Sequence, residues 1–151
     1  LDPIVLAAVC PRKLNFMARH DLFHNPLFSW LISNVGAFAV KRESADISAL
    51  KEAMQRLNKG NALLIFPEGG RRINGKFDPP QAGVGFLAAK LAVPVIPAFV
   101  KGADYALARG AKSIRPCSIY VYFGKQISLE RRLPYREIAG EIMQNIRRLA
   151  C

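Results

Sequence analysis

Three cysteines, Cys10, Cys117 and Cys151, are too few and too scattered to build a disulfide framework, and none stands in a Cys-x-x-Cys pair that would hold zinc. They read as reduced thiols of a cytosolic-side protein, with Cys10 and Cys117 expected to be buried as small apolar groups. No run reaches the roughly eighteen consecutive apolar residues that would cross a bilayer, and no basic-then-apolar signal opens the chain. Neither secretion nor a membrane span is therefore expected within these residues. Histidine is scarce: His20 and His24 flank Asp21 four positions apart, but no third ligand pattern accompanies them, so no metal is expected. Acidic residues are also few, 11 against 22 Lys and Arg, which leaves a net charge of +11. So basic a surface attracts phosphates, whether of nucleic acid, anionic lipid headgroups or a phosphorylated carrier. Nucleic-acid binding would need a reading helix, a zinc knuckle or an aromatic-basic platform, and none is visible, so nucleic acid is not an expected partner.

What is present is a globular composition, 51% hydrophobic and 22% charged over 151 residues, enough for one well-buried core. There are no repeats, linkers or low-complexity segments, so a single domain over 1–151 is the simplest organisation. Asp2 and Pro3 start a short apolar helix as N-cap and first helical residue, and Pro11 stops it. Leu14 to Ala18 reads as a strand, Pro26 to Ser33 as a helix with Phe28, Leu31 and Ile32 inward, and Ala37 to Val40 as a second strand. Ser44 or Asp46 caps a longer helix with Ile47, Leu50, Met54 and Leu57 on one stripe, ended by Gly60. Asn61 to Phe66 reads as a buried strand, and Pro80 to Leu91 as a helix whose Gly83 and Gly85 suggest close packing. Val95 to Val100 is a strand interrupted by Pro97, Ser118 to Phe123 a two-faced strand, and Pro134 opens a helix with Ile138, Ile142, Ile146 and Leu149 on one side. Trp30, Phe23, Leu27 and Phe28 form an apolar cluster expected in the core, with some reach toward lipid. Strands alternating with helices predict a three-layer α/β/α fold around a mostly parallel or mixed central sheet.

The chemistry-bearing stretch is Phe66-Pro67-Glu68-Gly69-Gly70-Arg71-Arg72. A short apolar strand ends at Pro67, which has no N–H for a ladder, so the turn sits at a strand's carboxyl end, where open α/β sheets bind ligands. Gly69 and Gly70 let backbone approach a substrate closely, and the two guanidinium forks suit phosphate or carboxylate. The same residues also suit a strand-ending turn whose charges face water.

Three segments in order, Gly36 to Arg42, Phe66 to Arg72 and Val93-Pro-Val-Ile-Pro97, make the chain resemble the glycerophospholipid acyltransferases, most of all the 1-acyl-sn-glycerol-3-phosphate (lysophosphatidic acid) acyltransferases. Lys76-Phe77 and Gly83-x-x-x-Leu87-Ala88 lie between the last two, and the resemblance runs to about Ser128. That family opens on a His-x4-Asp pair with proline after the aspartate, and Leu1-Asp2-Pro3 looks like its tail. The histidine is then expected ahead of Leu1, because the residues five positions after His20 and His24 are Asn25 and Ser29. Residues 1–151 are accordingly read as an acyltransferase catalytic domain lacking its N-terminal segment and catalytic histidine, and as inactive alone. Gly70 stands where the family has threonine and Arg72 where it has serine, which puts the identity of the acceptor lipid in question.

The resemblance implies transfer of a fatty acyl group from acyl-CoA or acyl-carrier protein to the free hydroxyl of 1-acylglycerol 3-phosphate, giving phosphatidic acid, with no further cofactor. A histidine would take the hydroxyl proton and Asp2 would orient that imidazole, although Asp2 serves equally as an ordinary helix cap. Arg42 would bind the acceptor phosphate, Glu68 and Gly69 would line its glycerol region, and Arg71 would be a second phosphate ligand. An ion pair from Glu68 that merely fixes the turn is the structural alternative, and an arginine after a strand is usually solvated. Val93 to Pro97 is expected to shape the wall of the site or the strand beneath it, with core packing as its main role and no chemistry assigned. The basic surface and lipid substrate imply association with the cytoplasmic face of an anionic membrane. A non-catalytic basic module that binds anions or lipid is the alternative function.

Overall fold

The computed structural model describes residues 2–19, 23–24, 26–34, 36–40, 47–69, 78–106 and 115–150. The elements follow the order α1 (Asp2–Val9), β1 (Leu14–Arg19), α2 (Pro26–Asn34), β2 (Ala37–Val40), α3 (Ile47–Asn58), β3 (Ala62–Leu64), α4 (Ala82–Leu91), β4 (Ala98–Lys101), α5 (Ala103–Ala106), β5 (Tyr120–Phe123) and α6 (Tyr135–Arg148). β1 is central in a parallel sheet of order β2-β1-β3, with Phe16 opposite Ala37 and Leu64 and Met17 opposite Phe38.

Side chains alternate along a strand, so this register sorts the sheet into two apolar faces. On one, Phe16, Ala37, Ala18 and Leu64 pack with Ile32 of α2. On the other, Phe38, Met17, Leu63 and Ile65 pack with Leu50, Ala53 and Met54 of α3 and with Phe86, Leu87 and Leu91 of α4. The fold is thus an α/β arrangement with helices on both faces of a parallel sheet, as the strand-helix alternation predicts. β4 and β5 pair antiparallel and form their own ladder among the described residues, extended by a bridge between Val95 and Ile127. Pro94 and Pro97 precede β4 and lack the N–H groups that a neighbouring strand would need.

A third apolar cluster joins Ala88 of α4 to Ile138 and Ile142 of α6, with Val95, Ile127 and Leu129 around them. Ile138 is fully buried and Ile142 nearly so; side chains of this size contribute about 1.5–3 kcal/mol each when removed from water. The helices approach closely at Gly85, where an added methyl would overlap the Tyr135 carbonyl oxygen. Gly83 has open space around its Cβ direction, so close packing holds for one of the two glycines.

Some expectations fail for physical reasons. Ile47, at the start of α3, is 66% exposed, and Ala49 and Ala53 fill the buried line beside Leu50 and Met54 instead. Trp30 is 66% exposed, because it lies two residues and so roughly 200° around α2 from the inward Ile32. Leu27 and Phe28 lie outside the described side chains, whereas Phe23 does pack against the Phe16 cluster. β3 is only half-buried, since it is an edge of the three-stranded ladder. Cys10 is half-buried and Cys117 exposed, its thiol against the Gly102 carbonyl at 3.5 Å, so neither is a core group; Cys151 lies outside the described residues.

Candidate functional site

Parallel strands bring their carboxyl ends to one edge, and here that edge also has a switch point. β1 leads into α2 on one face, whereas its neighbours β2 and β3 lead into α3 and α4 on the other. Chain therefore diverges to opposite sides past the end of β1, which opens the crevice where α/β sheets hold ligands. With strands about 4.8 Å apart, the ends of β2 and β3 flank that crevice at a separation of roughly 10 Å.

The turn beyond β3 occupies this edge and is tied on both sides. The Gly69 N–H donates to the Phe66 carbonyl at 2.9 Å, closing a tight turn over the buried Pro67. Gly69 has φ +67°, which non-glycine residues adopt only with strain, and an added methyl would overlap the Gln81 side-chain amide. The Gln81 N–H in turn donates to the Pro67 carbonyl at 2.9 Å, fastening the turn to the start of α4. Glu68 is half-buried, and its Oε2 accepts the Asp78 N–H at 3.1 Å, so the carboxylate bridges the two ends of the 69–78 connection. Glu68 thus acts as a clamp on its own loop, joined to backbone among the described residues. Gly69 is favoured by its positive φ, which the sequence did not reveal; the nearby Gln81 amide is the end of a flexible side chain that can shift. Gln81 and Asp78 are the partners that sequence reading missed; the only local cue was their place beside Pro79 and Pro80, just ahead of a helix.

Asp2 lies within the first turn of α1, one residue deeper than a pure cap, where a carboxylate faces the positive end of the helix dipole. It is half-buried, and among the described residues its side chain has no hydrogen-bond or ion-pair partner. The same helix is anchored by Leu6, which is 3% exposed. Arg42 and Arg71 lie outside the described residues, as do Gly70, Arg72, Lys76 and Phe77. The described chain reaches Val40, two positions before Arg42, and Gly69, two positions before Arg71. Val93 to Pro97 shapes the lead into β4: Pro97 is buried and its carbonyl accepts the Gly124 N–H at 2.9 Å, so this segment serves packing.

At the amino ends of β1 and β3, the edge opposite the crevice, a polar network holds α3 on the sheet, and no sequence pattern announced it. Asn15 of β1 is 6% exposed; its amide donates to the Ala62 carbonyl at 3.2 Å and its oxygen accepts from Arg56. Arg56 also pairs with Glu52 one helical turn earlier at 2.7 Å and stacks over the Phe38 ring with 4.8 Å to the centroid. The buried amide is satisfied on both sides, which is the condition for a polar group to be tolerated there. Glu52 and Arg56 stand i, i+4 on the helix, a spacing that does not say the arginine will turn inward onto a strand.

The comparisons with known proteins agree with this architecture. The acyltransferase family model matches residues 1–101. A 1-acyl-sn-glycerol-3-phosphate acyltransferase of Streptococcus pneumoniae is 34% identical over 103 residues, 67% of this chain and 38% of that protein. A chloroplastic 1-acyl-sn-glycerol-3-phosphate acyltransferase of Brassica napus is 31% identical over 105 residues, 68% of this chain and 30% of that protein. The matched part thus spans about a third of the length of these relatives. The crystal structure of the 1-acyl-sn-glycerophosphate acyltransferase PlsC from Thermotoga maritima shares the fold, with a TM-score of 0.73 at 23% identity, covering 99% of this chain and 61% of that one. The glycine turn at the carboxyl edge falls inside the stretch that the family model matches, and the parallel sheet that carries it has the same form in a solved relative: the chain belongs to the acyltransferase family.

Proposed function

We propose that the complete protein transfers a fatty acyl group from a thioester, acyl-CoA or acyl-carrier protein, to the free hydroxyl of 1-acylglycerol 3-phosphate, giving phosphatidic acid. One observation carries this reading: the Phe66–Gly69 turn, inside the family-matched stretch, is pinned at the carboxyl edge of a parallel sheet by Glu68 and Gln81. A pinned turn presents backbone and neighbouring groups in one geometry, which is what positioning an acceptor alcohol requires.

The chemistry assigns roles to residue types. An alcohol attacks a thioester carbonyl only as its proton leaves, so a general base must sit within hydrogen-bond reach. We assign that base to a histidine five positions ahead of Asp2, with the Asp2 carboxylate fixing its tautomer. The bond formed joins the acceptor oxygen to the acyl carbon, the thioester C–S bond breaks, and the imidazolium returns its proton to the departing thiolate. Arg42 and Arg71 supply charge-assisted contacts to the acceptor phosphate. Glu68 and Gly69 hold the wall on which the glycerol lies. Membrane association at the cytoplasmic face is part of the proposal; the net charge of +11 supports attraction to anionic lipid. No helix among the described residues is long and apolar enough to cross a membrane.

The test is a full-length preparation given lysophosphatidate with acyl-CoA and, separately, acyl-carrier protein, with phosphatidate read by mass. Formation of phosphatidate supports the reading, and Arg42→Ala is expected to raise the KM for the acceptor. Binding of lysophosphatidate without turnover on either donor would replace the enzyme with a lipid-binding module.

A further inference from the structure

In the β4–β5 ladder Phe99 lies opposite Tyr122 and Lys101 opposite Tyr120. Alternation along the strands puts these four side chains on one face. The end of α6 covers part of that face: Leu149 sits so near Gly124 that an added methyl there would lie 3.4 Å from its Cδ2. Between sheet and helix end remains a cavity of about 280 Å³, lined by Phe99, Lys101, Tyr122, Arg148, Leu149 and Ala150.

We propose that this cavity binds a phosphate-bearing group, at a site separate from the glycine turn beyond β3. Among the described residues its lining includes two cationic side chains, Lys101 and Arg148, and no acidic one. Arg148 offers a planar fork that matches phosphate oxygens in pairs, Lys101 a point charge, and Tyr122 a phenol donor. Phe99, 9% exposed, floors the cavity, and Leu149 and Ala150 give an apolar wall. The carbonyl end of α6 opposes an anion with about half an elementary charge, which two full cations outweigh. The volume stands near the lower bound for small-ligand pockets, roughly 300 Å³, which suits a headgroup-sized ligand. Tyr120, opposite Lys101 in the ladder, and Tyr122 are 55% and 43% exposed and carry amphipathic rings on the same face of the ladder. Such rings sit well at a lipid interface. The phosphate is therefore that of an anionic lipid headgroup or of a soluble phosphomonoester, and the two sources separate by experiment.

The protein is titrated with inorganic phosphate and glycerol 3-phosphate while backbone amide shifts are followed, and it is sedimented with phosphatidylcholine vesicles with and without phosphatidate. Shifts at Lys101, Tyr122 and Arg148 on soluble ligand identify a soluble phosphomonoester; binding confined to phosphatidate vesicles identifies a lipid headgroup. Lys101→Gln with Arg148→Gln is expected to weaken whichever binding occurs by about tenfold or more, the loss of two charge-assisted contacts. Lys51→Gln on α3 with Lys59→Gln in the turn after it removes the same charge elsewhere and is expected to change it less than about twofold. Equal losses in both double variants would reduce the effect to diffuse charge and overturn the site. Failure of the native protein to bind either probe would also overturn it. Unchanged urea midpoints check that the variants fold, and the position of the amide shifts, at Lys101, Tyr122 and Arg148 and not at Glu68 and Gly69, separates this site from the phosphate contacts of the transferase reading.

Discussion

The parallel sheet and the α4–α6 buttress solve the same packing problem with different materials. Around β1 the core mixes apolar contacts with a buried amide, an arginine and a carboxylate. Between α4 and α6 the buried cluster is wholly apolar, and the helices meet through a glycine. The first region also holds the switch-point crevice and most of the residues the family model matches, whereas residues beyond 101 lie outside that match. The polar network fixes α3 to the amino ends of the strands, while the motif-bearing turn at the opposite edge is held by its own ties to Asp78 and Gln81. The supporting chain needs only volume and close approach.

That contrast is open to attack from several sides. The largest effect is expected from Asp2→Asn in the full-length protein, which should lower kcat by about 10²–10⁴-fold, as loss of a properly oriented base does, with little change in the KM for lysophosphatidate. Steady-state kinetics against acceptor concentration check it, and an unchanged kcat would return Asp2 to a helix-terminal role. Next comes Gly85→Ala, which forces a methyl against the Tyr135 carbonyl and should cost about 1–3 kcal/mol in urea unfolding while the folded fraction keeps its specific activity. Arg56→Met should cost about 1–3 kcal/mol by leaving the Asn15 oxygen without its donor in a nearly buried place, and a cost near zero would show that the network is ornamental. The smallest is a gain: Gly140→Ala, at a mid-helix glycine of α6 with open space beside it, should raise stability by about 0.5–1 kcal/mol, read as an upward shift of the urea midpoint. Opposite signs at Gly85 and Gly140 would confirm that one glycine is required by contact and the other is not.

Much of the scaffold was readable because it rests on periodicity. Ala37 to Val40, Leu14 onward and the Ile138-Ile142 stripe sit where their apolar spacing places them. Errors gathered where spacing is silent about direction. Size and hydrophobicity alone put Trp30 and Ile47 inward, yet a helix buries only the stripe that its neighbour reaches. Cys117 is exposed because nothing in a single thiol says which side of a loop it will occupy. On the site, the turn and its glycines were legible as a strand-end loop. The hold of Glu68 on Asp78 and of Gln81 on Pro67 was not, since those partners are ten or more residues apart and no local propensity encodes their meeting.

By itself the sequence determined the order of the described strands and helices apart from the short α5, the strong positive charge and the motif string that ties the chain to the acyltransferases, because these follow from residue type and spacing along one dimension. The tertiary structure alone decided that β1 is central, that connections leave it toward opposite faces, and that Asn15 meets Arg56. It also decided that Lys101 and Arg148 line one cavity. These depend on which distant segments pack together, and packing is settled by the summed fit of whole faces, which no local stretch contains.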